Sequence, residues 1–102
     1  NPYLAFAAYL AAGLDGVAKE LDPGKANLGN LYELGLDEIL RRGIRTLPQS
    51  LAESISELRK DDVVQNALGV ISDEFITLKE AEWKEYHAQV SKWETDRYLT
   101  MF

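Results

Sequence analysis

The sequence predicts an all-α protein of five or six helices. Three observations lead to this fold class: an alanine-rich opening segment, two serine–glutamate pairs with the S-x-x-E spacing of a helix capping box, and the lack of strand-like alternation of useful length. No period of about 20 to 50 residues recurs, so a solenoid is not expected. The 102 residues suffice for one small domain, taken to span 1–102, and are too few for two.

The opening segment is expected to form a helix that is apolar on every side. Residues 1–14 carry no charge, and Tyr3, Phe6 and Leu10 are among the large side chains spread between the alanines. The run is shorter than the about 20 apolar residues that span a bilayer, and it lacks the basic leader of a signal peptide. Such a helix is normally buried all round, and so small a domain has little interior for that. We therefore expect that material is missing or that a partner covers one face.

The later helices are marked by turn residues and by N-caps. Asp22-Pro23-Gly24 signals a turn, and a loop rich in glycine and asparagine then leads to a short helix over 36–42 that Gly43 closes. Four further N-caps are predicted at Ser50 with Glu53, at Asp61 or Asp62, at Ser72, and at Ser91 with Glu94. The helices that they open extend through Leu58, through Ala67 to a stop at Gly69, to about Ala88, and through Leu99.

Charge and cysteine content exclude several classes of function. Eleven basic residues against 17 acidic ones give a net charge of −6, whereas surfaces for nucleic acid and for anionic membranes need clustered positive charge. The chain has no cysteine, which rules out disulfides, thiolate zinc sites and cysteine nucleophiles and agrees with a reducing, cytoplasmic location. With His87 as its one histidine, the chain cannot build a histidine-rich metal site.

Motifs that carry catalysis are absent from the sequence. It has no glycine-rich phosphate loop, no H-E-x-x-H and no G-x-S-x-G, so no catalytic, cofactor-binding or metal residue is assigned. Glu80, Glu82 and Glu85 lie near His87, but lysines share this stretch, and a solvated helix face is favoured over a metal cluster. Asp61-Asp62 is likewise interpreted as a helix cap in preference to a divalent-ion site.

Aromatic residues concentrate near the C-terminus. They fit either the core of a helical hairpin or a docking tail. The tail is favoured because a terminal Tyr-Leu-Thr-Met-Phe lowers solubility unless something buries it. The side chains of this candidate tail are Trp93, Tyr98, Leu99, Met101 and Phe102.

Several blocks of the sequence resemble the C-terminal region of glutamine synthetase. Asn-Pro-Tyr-Leu-Ala at 1–5 and Ala-Ala-Gly-Leu-Asp-Gly at 11–16 are together the most specific, and Asn-Leu-Tyr-Glu-Leu follows at 30–34. Leu-Pro-x-Ser-Leu-x-Glu at 47–53 and a closing segment with Trp93-Glu94 and Tyr98 are also similar to the family. The resemblance therefore covers essentially the whole chain.

The resemblance implies an ATP-dependent ligase of glutamine biosynthesis and nitrogen assimilation. Such an enzyme phosphorylates the γ-carboxylate of glutamate and lets ammonia displace the phosphate. It uses ATP and Mg²⁺ or Mn²⁺ ions, held mainly by carboxylates on a curved antiparallel sheet that precedes the Asn-Pro-Tyr block. The chain is then expected to be the C-terminal helical region of a larger α+β catalytic domain, inactive by itself, with its own upstream catalytic region as a partner.

The same resemblance suggests two candidate sites. Some bacterial members are adenylylated on the tyrosine of an Asn-Leu-Tyr-(Asp/Glu)-Leu motif, which Tyr32 matches; a loop anchor is the alternative role. Dodecameric members insert a C-terminal helical tail into the opposing ring, and 93–102 resembles that tail, which implies a homo-oligomer. The family also contains ligases that use polyamines and other amines, so the resemblance does not specify the acceptor amine. A self-standing helical interaction module is the alternative from a different class.

Overall fold

The computed structural model describes residues 1–101 and shows an all-helical chain. These residues form six α-helices: α1 (Pro2–Ala18), α2 (Leu36–Arg41), α3 (Leu51–Leu58), α4 (Asp62–Leu68), α5 (Ser72–His87) and α6 (Lys92–Tyr98). Two 3-10 turns, Leu31–Glu33 and Gly69–Ile71, complete the regular structure, and the described chain has no strand. The predicted fold class and helix number are confirmed.

Four of the six helices form two packed pairs. α1 packs on α4 and α3 packs on α5, while α4 joins the pairs because it also contacts both α3 and α5. The radius of gyration is 18.6 Å, against about 13 Å for a compact domain of this length. The accessible surface is 9122 Å², whereas a compact monomer of this mass exposes about 5,800 Å². The chain thus exposes a large area that a self-contained domain would bury.

The core lies between α3 and α5. Ile55 of α3 and Ile76 of α5 are buried, with Ile76 only 2% exposed. Ser72, at 5% exposure, is the third and last buried residue within 1–101. On α5, Ser72 and Ile76 share one face with the half-buried Lys79 and Trp83, because they recur every three to four residues. This single face holds the two helices together.

Helix α1 has two faces that differ in side-chain size. It runs without a break through Asp15 and Gly16, and none of its residues is buried. One face is half-buried and consists mainly of small residues: Leu4, Ala7, Ala8 and Ala11. The other face is exposed and is called here the large face; it consists of Tyr3, Phe6, Tyr9, Leu10, Leu14 and Val17. Within the described chain, nothing covers this large face.

Side-chain caps begin α3 and α4 where the sequence predicts them. The Ser50 hydroxyl oxygen accepts a hydrogen bond from the backbone N–H of Glu53 at 3.2 Å. Asp61 Oδ1 accepts from the backbone N–H of Val64 at 3.0 Å, so Asp61, not Asp62, is the cap of α4. The carboxylate of Glu53 reaches back one residue further than a capping box requires, and accepts from Gln49 N–H at 2.8 Å.

The predicted N-cap at Ser72 is wrong. Ile71 precedes the first residue of α5, and Ser72 already lies inside the helix. An N-cap needs an extended backbone, whereas both residues have right-handed helical angles because the 3-10 turn runs directly into α5. That turn begins at Gly69, whose φ of 59° and ψ of −137° are accessible essentially only to glycine. The Ser72 hydroxyl is left buried, without a hydrogen-bond partner in the described chain.

We expect Ser72→Ala to stabilise the protein. A buried polar group without a partner costs about 1–3 kcal/mol, and alanine is also the better helix former, so the free energy of unfolding should rise by about 1 kcal/mol. Urea denaturation followed by circular dichroism measures this change. Ser54→Ala is the matched control, because Ser54 is an exposed serine of α3, and a surface change of this kind shifts stability by only about 0.5 kcal/mol. A less stable Ser72→Ala protein would show that the hydroxyl is satisfied.

Candidate functional site

The sequence points to two candidate sites, the turn that carries Tyr32 and the C-terminal tail. The structure places Tyr32 in the 3-10 turn Leu31–Glu33, after a stretch without regular structure. It places the tail in α6 and in the residues that follow it. Phe102, which belongs to the predicted tail, lies outside the described residues.

Local hydrogen bonds build the Tyr32 turn. Asn30 Oδ1 accepts from the backbone N–H of Tyr32 at 3.1 Å, and Asn30 Nδ2 donates to Glu33 Oε1 at 2.7 Å. Asparagine is suited to this place because its side chain can replace backbone partners at a turn. The Asn30 side chain thus bonds both the backbone of Tyr32 and the side chain of the residue that follows it.

Tyr32 projects from this turn into solvent. Its side chain is fully exposed, while its neighbours Leu31 and Leu34 are half-buried. The two leucines are therefore the less exposed side chains of this turn. A phenol held on an ordered turn is accessible to a modifying enzyme, and the role of Tyr32 stays a prediction.

A complete capping box starts the tail helix, as the sequence predicts. The Ser91 hydroxyl oxygen accepts from Glu94 N–H at 3.2 Å, and Glu94 Oε2 accepts from Ser91 N–H at 2.7 Å. The bond from the Ser91 backbone N–H, with a smaller effect of its side chain, lowers the pKa of the Glu94 carboxyl below its ordinary value. Burial opposes this shift and the nearby His87 adds to it.

The tail side chains contact one another and remain largely exposed. The Trp93 and Tyr98 rings meet edge to face with 6.1 Å between centroids, and the Arg97 guanidinium lies 5.2 Å from the centre of the Trp93 ring. Exposure is 62% for Trp93, 50% for Tyr98, 77% for Leu99 and 63% for Met101. These residues therefore do not form a hairpin core within the described chain, and their docking role stays a prediction.

Two of the acidic residues near His87, Glu80 and Glu82, have separate partners. Lys79 Nζ donates to Glu82, and Glu80 Oε1 accepts from both Nε and Nη2 of Arg59, at 3.0 and 2.7 Å. No group of three metal-binding side chains occurs within residues 1–101. The His87 ring stacks on the Trp83 ring, with centroids 5.3 Å apart.

Sequence reasoning missed the pair of Arg59 with Glu80. The two residues are 21 positions apart and belong to different helices, so no helical spacing connects them. The sequence shows that both residues are charged and lie beside apolar positions. It does not show that they are partners, because that depends on how α3 packs on α5. The pair adds an ionic contact to the rim of the core.

No helix of residues 1–101 is both long enough and apolar enough to cross a membrane. This includes α1, whose 17 residues are the longest apolar helix present.

We expect the Glu94 carboxyl to titrate below the ordinary range of glutamate. A lowered pKa in the folded state means that this interaction stabilises α6 above the ordinary glutamate pKa and is lost as the pH falls through the lowered pKa. In Ser91→Ala the pKa of Glu94 should rise only part of the way to its ordinary value, because alanine keeps the backbone N–H that causes most of the shift and removes only the smaller effect of the side chain. Carboxyl NMR titration measures both. An ordinary pKa of Glu94 in the unmodified chain would contradict the capping box.

Comparison with known proteins assigns the chain to a family. The model of the glutamine synthetase catalytic domain matches residues 1–98. The glutamate–methylamine ligase of Methyloversatilis universalis is 50% identical over 102 residues, which is 100% of this chain and 23% of that protein. Glutamine synthetase of Halobacterium salinarum is 48% identical over 103 residues, again 100% of this chain and 23% of the relative.

A further relative agrees with these two. Glutamine synthetase of Thermotoga maritima is 44% identical over 100 residues, which cover 97% of this chain and 23% of that enzyme. The chain thus spans about a quarter of the length of the curated relatives it matches. Because the family model covers nearly the whole chain and the resemblance in its sequence blocks agrees, the chain belongs to the glutamine synthetase catalytic-domain family.

Proposed function

We propose that this chain is the C-terminal helical region of an ATP-dependent glutamate–ammonia ligase, which makes glutamine for nitrogen assimilation. The observation that carries the proposal is the match of residues 1–98 to the glutamine synthetase catalytic domain. The glutamine synthetases among its relatives support the same reaction. A self-standing interaction module is the weaker alternative, because the chain exposes far more surface than a self-contained domain does.

The relatives support two candidates for the acceptor amine. A glutamate–methylamine ligase is 50% identical to the chain and a glutamine synthetase is 48% identical. This difference in sequence identity does not distinguish ammonia from methylamine as the acceptor. A ligase that joins glutamate to methylamine or to a polyamine, with the same acyl-phosphate chemistry, is therefore the second candidate function.

The described residues do not fit the ATP and metal ions that the reaction requires. Carboxylates of the described residues serve as helix caps, bond residues of turns or pair with lysine and arginine, as Asp61, Glu33 and Glu82 do. Mg²⁺ or Mn²⁺ needs several oxygen ligands that converge on one point. We therefore assign the ATP, metal and glutamate sites to parts of the protein outside this chain, and expect the chain alone to be inactive.

On this proposal the chain acts as a supporting region of one larger catalytic domain. Its partner is the region that holds the active site, and the large exposed surface supports such a contact. A cytoplasmic location belongs to the same proposal and is supported by the absence of cysteine from the chain.

We infer that Tyr32 is a site of nucleotide modification. Full exposure of its ring and the Asn30 hydrogen bonds that order its turn support this role. An attached nucleotide would add negative charge and bulk next to Glu33 without disturbing the half-buried leucines on either side.

We infer that the tail, from Trp93 onward, docks on another subunit of a homo-oligomer. The half to three-quarters exposure of its four described apolar side chains supports this. Aromatic residues in such a position are typical anchors of protein interfaces. The capping box supports the same role, because it keeps α6 formed before docking and so lowers the ordering cost of binding.

Enzyme assays test the ligase proposal. The protein expressed from the complete reading frame that encodes this chain should release ADP from ATP only when glutamate is present. Among ammonia, methylamine and polyamines, ammonia should give the highest kcat/KM. The 102-residue chain by itself is the matched control and should neither bind ATP nor turn over. Preference for another amine would select the second candidate function. Turnover with no amine would contradict both ligase functions and favour the interaction module.

Removal of tail side chains tests the docking role. In the complete protein, Trp93→Ala should weaken subunit association by about tenfold or more, which corresponds to about 1.4 kcal/mol for an interface anchor. Val90→Ala is the control, because Val90 is similarly exposed but lies before α6. Light scattering over a dilution series measures the assembly. Equal masses for the two variants at every dilution would contradict the docking role.

A further inference from the structure

The turn that carries Tyr32 is held mainly by the side chain of one residue. Its two backbone hydrogen bonds, donated by the N–H groups of Glu33 and Leu34, are both 3.3 Å long. This is beyond the roughly 2.7–3.2 Å that is usual for an N–H···O hydrogen bond. The Asn30 side chain makes the shorter bonds, 3.1 Å to the Tyr32 N–H and 2.7 Å to the Glu33 carboxylate. A 3-10 turn of three residues has poor hydrogen-bond geometry of its own, so the Asn30 bonds contribute most to its order.

These bonds are local to the turn. They join residues two and three positions apart. The turn can therefore form in the same way in the complete protein, whatever parts of the protein lie outside this chain.

The position of the Tyr32 ring depends on this turn. The side chain of Tyr32 is fully exposed, so packing within the described chain does not orient it. Glycines border the turn on both sides, Gly29 with a φ of 105° and Gly35, and they restrain the backbone little. The ring consequently takes its direction from the backbone that the Asn30 side chain holds.

Transfer of a nucleotide to a phenol requires a defined approach of the two reactants. The Tyr32 Oη must attack the α-phosphorus of a nucleoside triphosphate in line with the bond to the leaving pyrophosphate. The bond from Oη to phosphorus forms, the bond from phosphorus to the bridging oxygen breaks, and the phenol proton passes to a base of the modifying enzyme. A nucleophile that is already held in one geometry reacts faster in such a step.

We propose that the contact between Asn30 and Glu33 positions Tyr32 for nucleotide transfer. Asn30 is a positioning residue, since it orders the turn while the phenol is the group that reacts. Glu33 serves as the acceptor for the Asn30 amide and not as a charge that the modifying enzyme recognises. The inference rests on the proposed modification of Tyr32 and adds the contact that presents its ring.

Reversal of the donor and the acceptor in this contact tests the positioning role. Asn30→Asp keeps an oxygen acceptor for the Tyr32 N–H but places two carboxylates against each other, so the turn should open. The double variant Asn30→Asp with Glu33→Gln should close the turn again, because the new glutamine amide can donate to the new aspartate. The total charge of the two residues is the same in the double variant and in the unmodified protein.

Labelling of the complete protein measures the effect. The protein is incubated with an extract of its source cells and with ATP that is radiolabelled at the α-phosphate. The initial rate of labelling should fall about tenfold or more in Asn30→Asp, as expected for loss of a charge-assisted hydrogen bond. It should return to within about threefold of the unmodified rate in the double variant.

Two further variants serve as controls. Asn27→Asp adds the same charge to another exposed residue of the loop and should be labelled at the unmodified rate. Tyr32→Phe should not be labelled, because it lacks the phenol oxygen.

Three results would overturn the proposal. Equal labelling of Asn30→Asp and the unmodified protein would show that the turn does not govern the transfer. A double variant that is labelled as slowly as Asn30→Asp would show that the modifying enzyme recognises the two side chains directly. Absence of label from the unmodified protein would overturn the modification of Tyr32 together with this proposal. The glutamate-dependent ADP release that tests the ligase function is measured separately and would be unaffected.

Discussion

The contact between α3 and α5 is the one on which the rest of the structure depends. Ile55 of α3 and Ile76 of α5 are the buried apolar residues of the described chain, and these two helices pack on each other. Burial of a branched aliphatic side chain contributes about 1.5–3 kcal/mol, so two of them supply little against the conformational entropy of about a hundred ordered residues. Caps and short-range ion pairs consequently help to keep the individual helices formed, while α1 is held through its packing on α4.

This shortage of core agrees with the family assignment. A piece equal to about a quarter of its relatives' length has its helices formed by local signals, but not the surroundings against which their apolar faces pack. The exposed residues include more large apolar side chains than the buried ones do. In such a chain, the exposed apolar surface marks places that contact other parts of a larger assembly. It is weaker evidence for a function of the isolated piece.

The sequence was a good guide to local structure and a poor guide to long-range structure. The caps at Ser50, Asp61 and Ser91 could be predicted, because each depends on residues within one helical turn. The cap at Ser72 could not, because the preceding 3-10 turn gave that residue a helical backbone.

The candidate sites divide in the same way. Tyr32 was singled out from a short motif in the sequence, and the Asn30 hydrogen bonds that build its turn join residues no more than three positions apart. The pairing of Arg59 with Glu80 required the orientation of two helices, which composition and spacing do not specify. The two-faced character of α1 was hidden as well, because its small and large residues are equally apolar and differ only in volume.

The 3-10 turn that begins at Gly69, called here the corner, affects the position of the C-terminal part of the molecule. The helix α5 follows this turn and has 16 residues, so it is about 24 Å long at 1.5 Å per residue. A rotation of about 10° at the corner would therefore move the far end of that rod by about 4 Å, which approaches the width of one helical turn. The φ and ψ angles of Gly69 therefore strongly affect the positions of His87 and of α6. The conformation of one glycine thereby influences how far the C-terminal helices extend from α3 and α4.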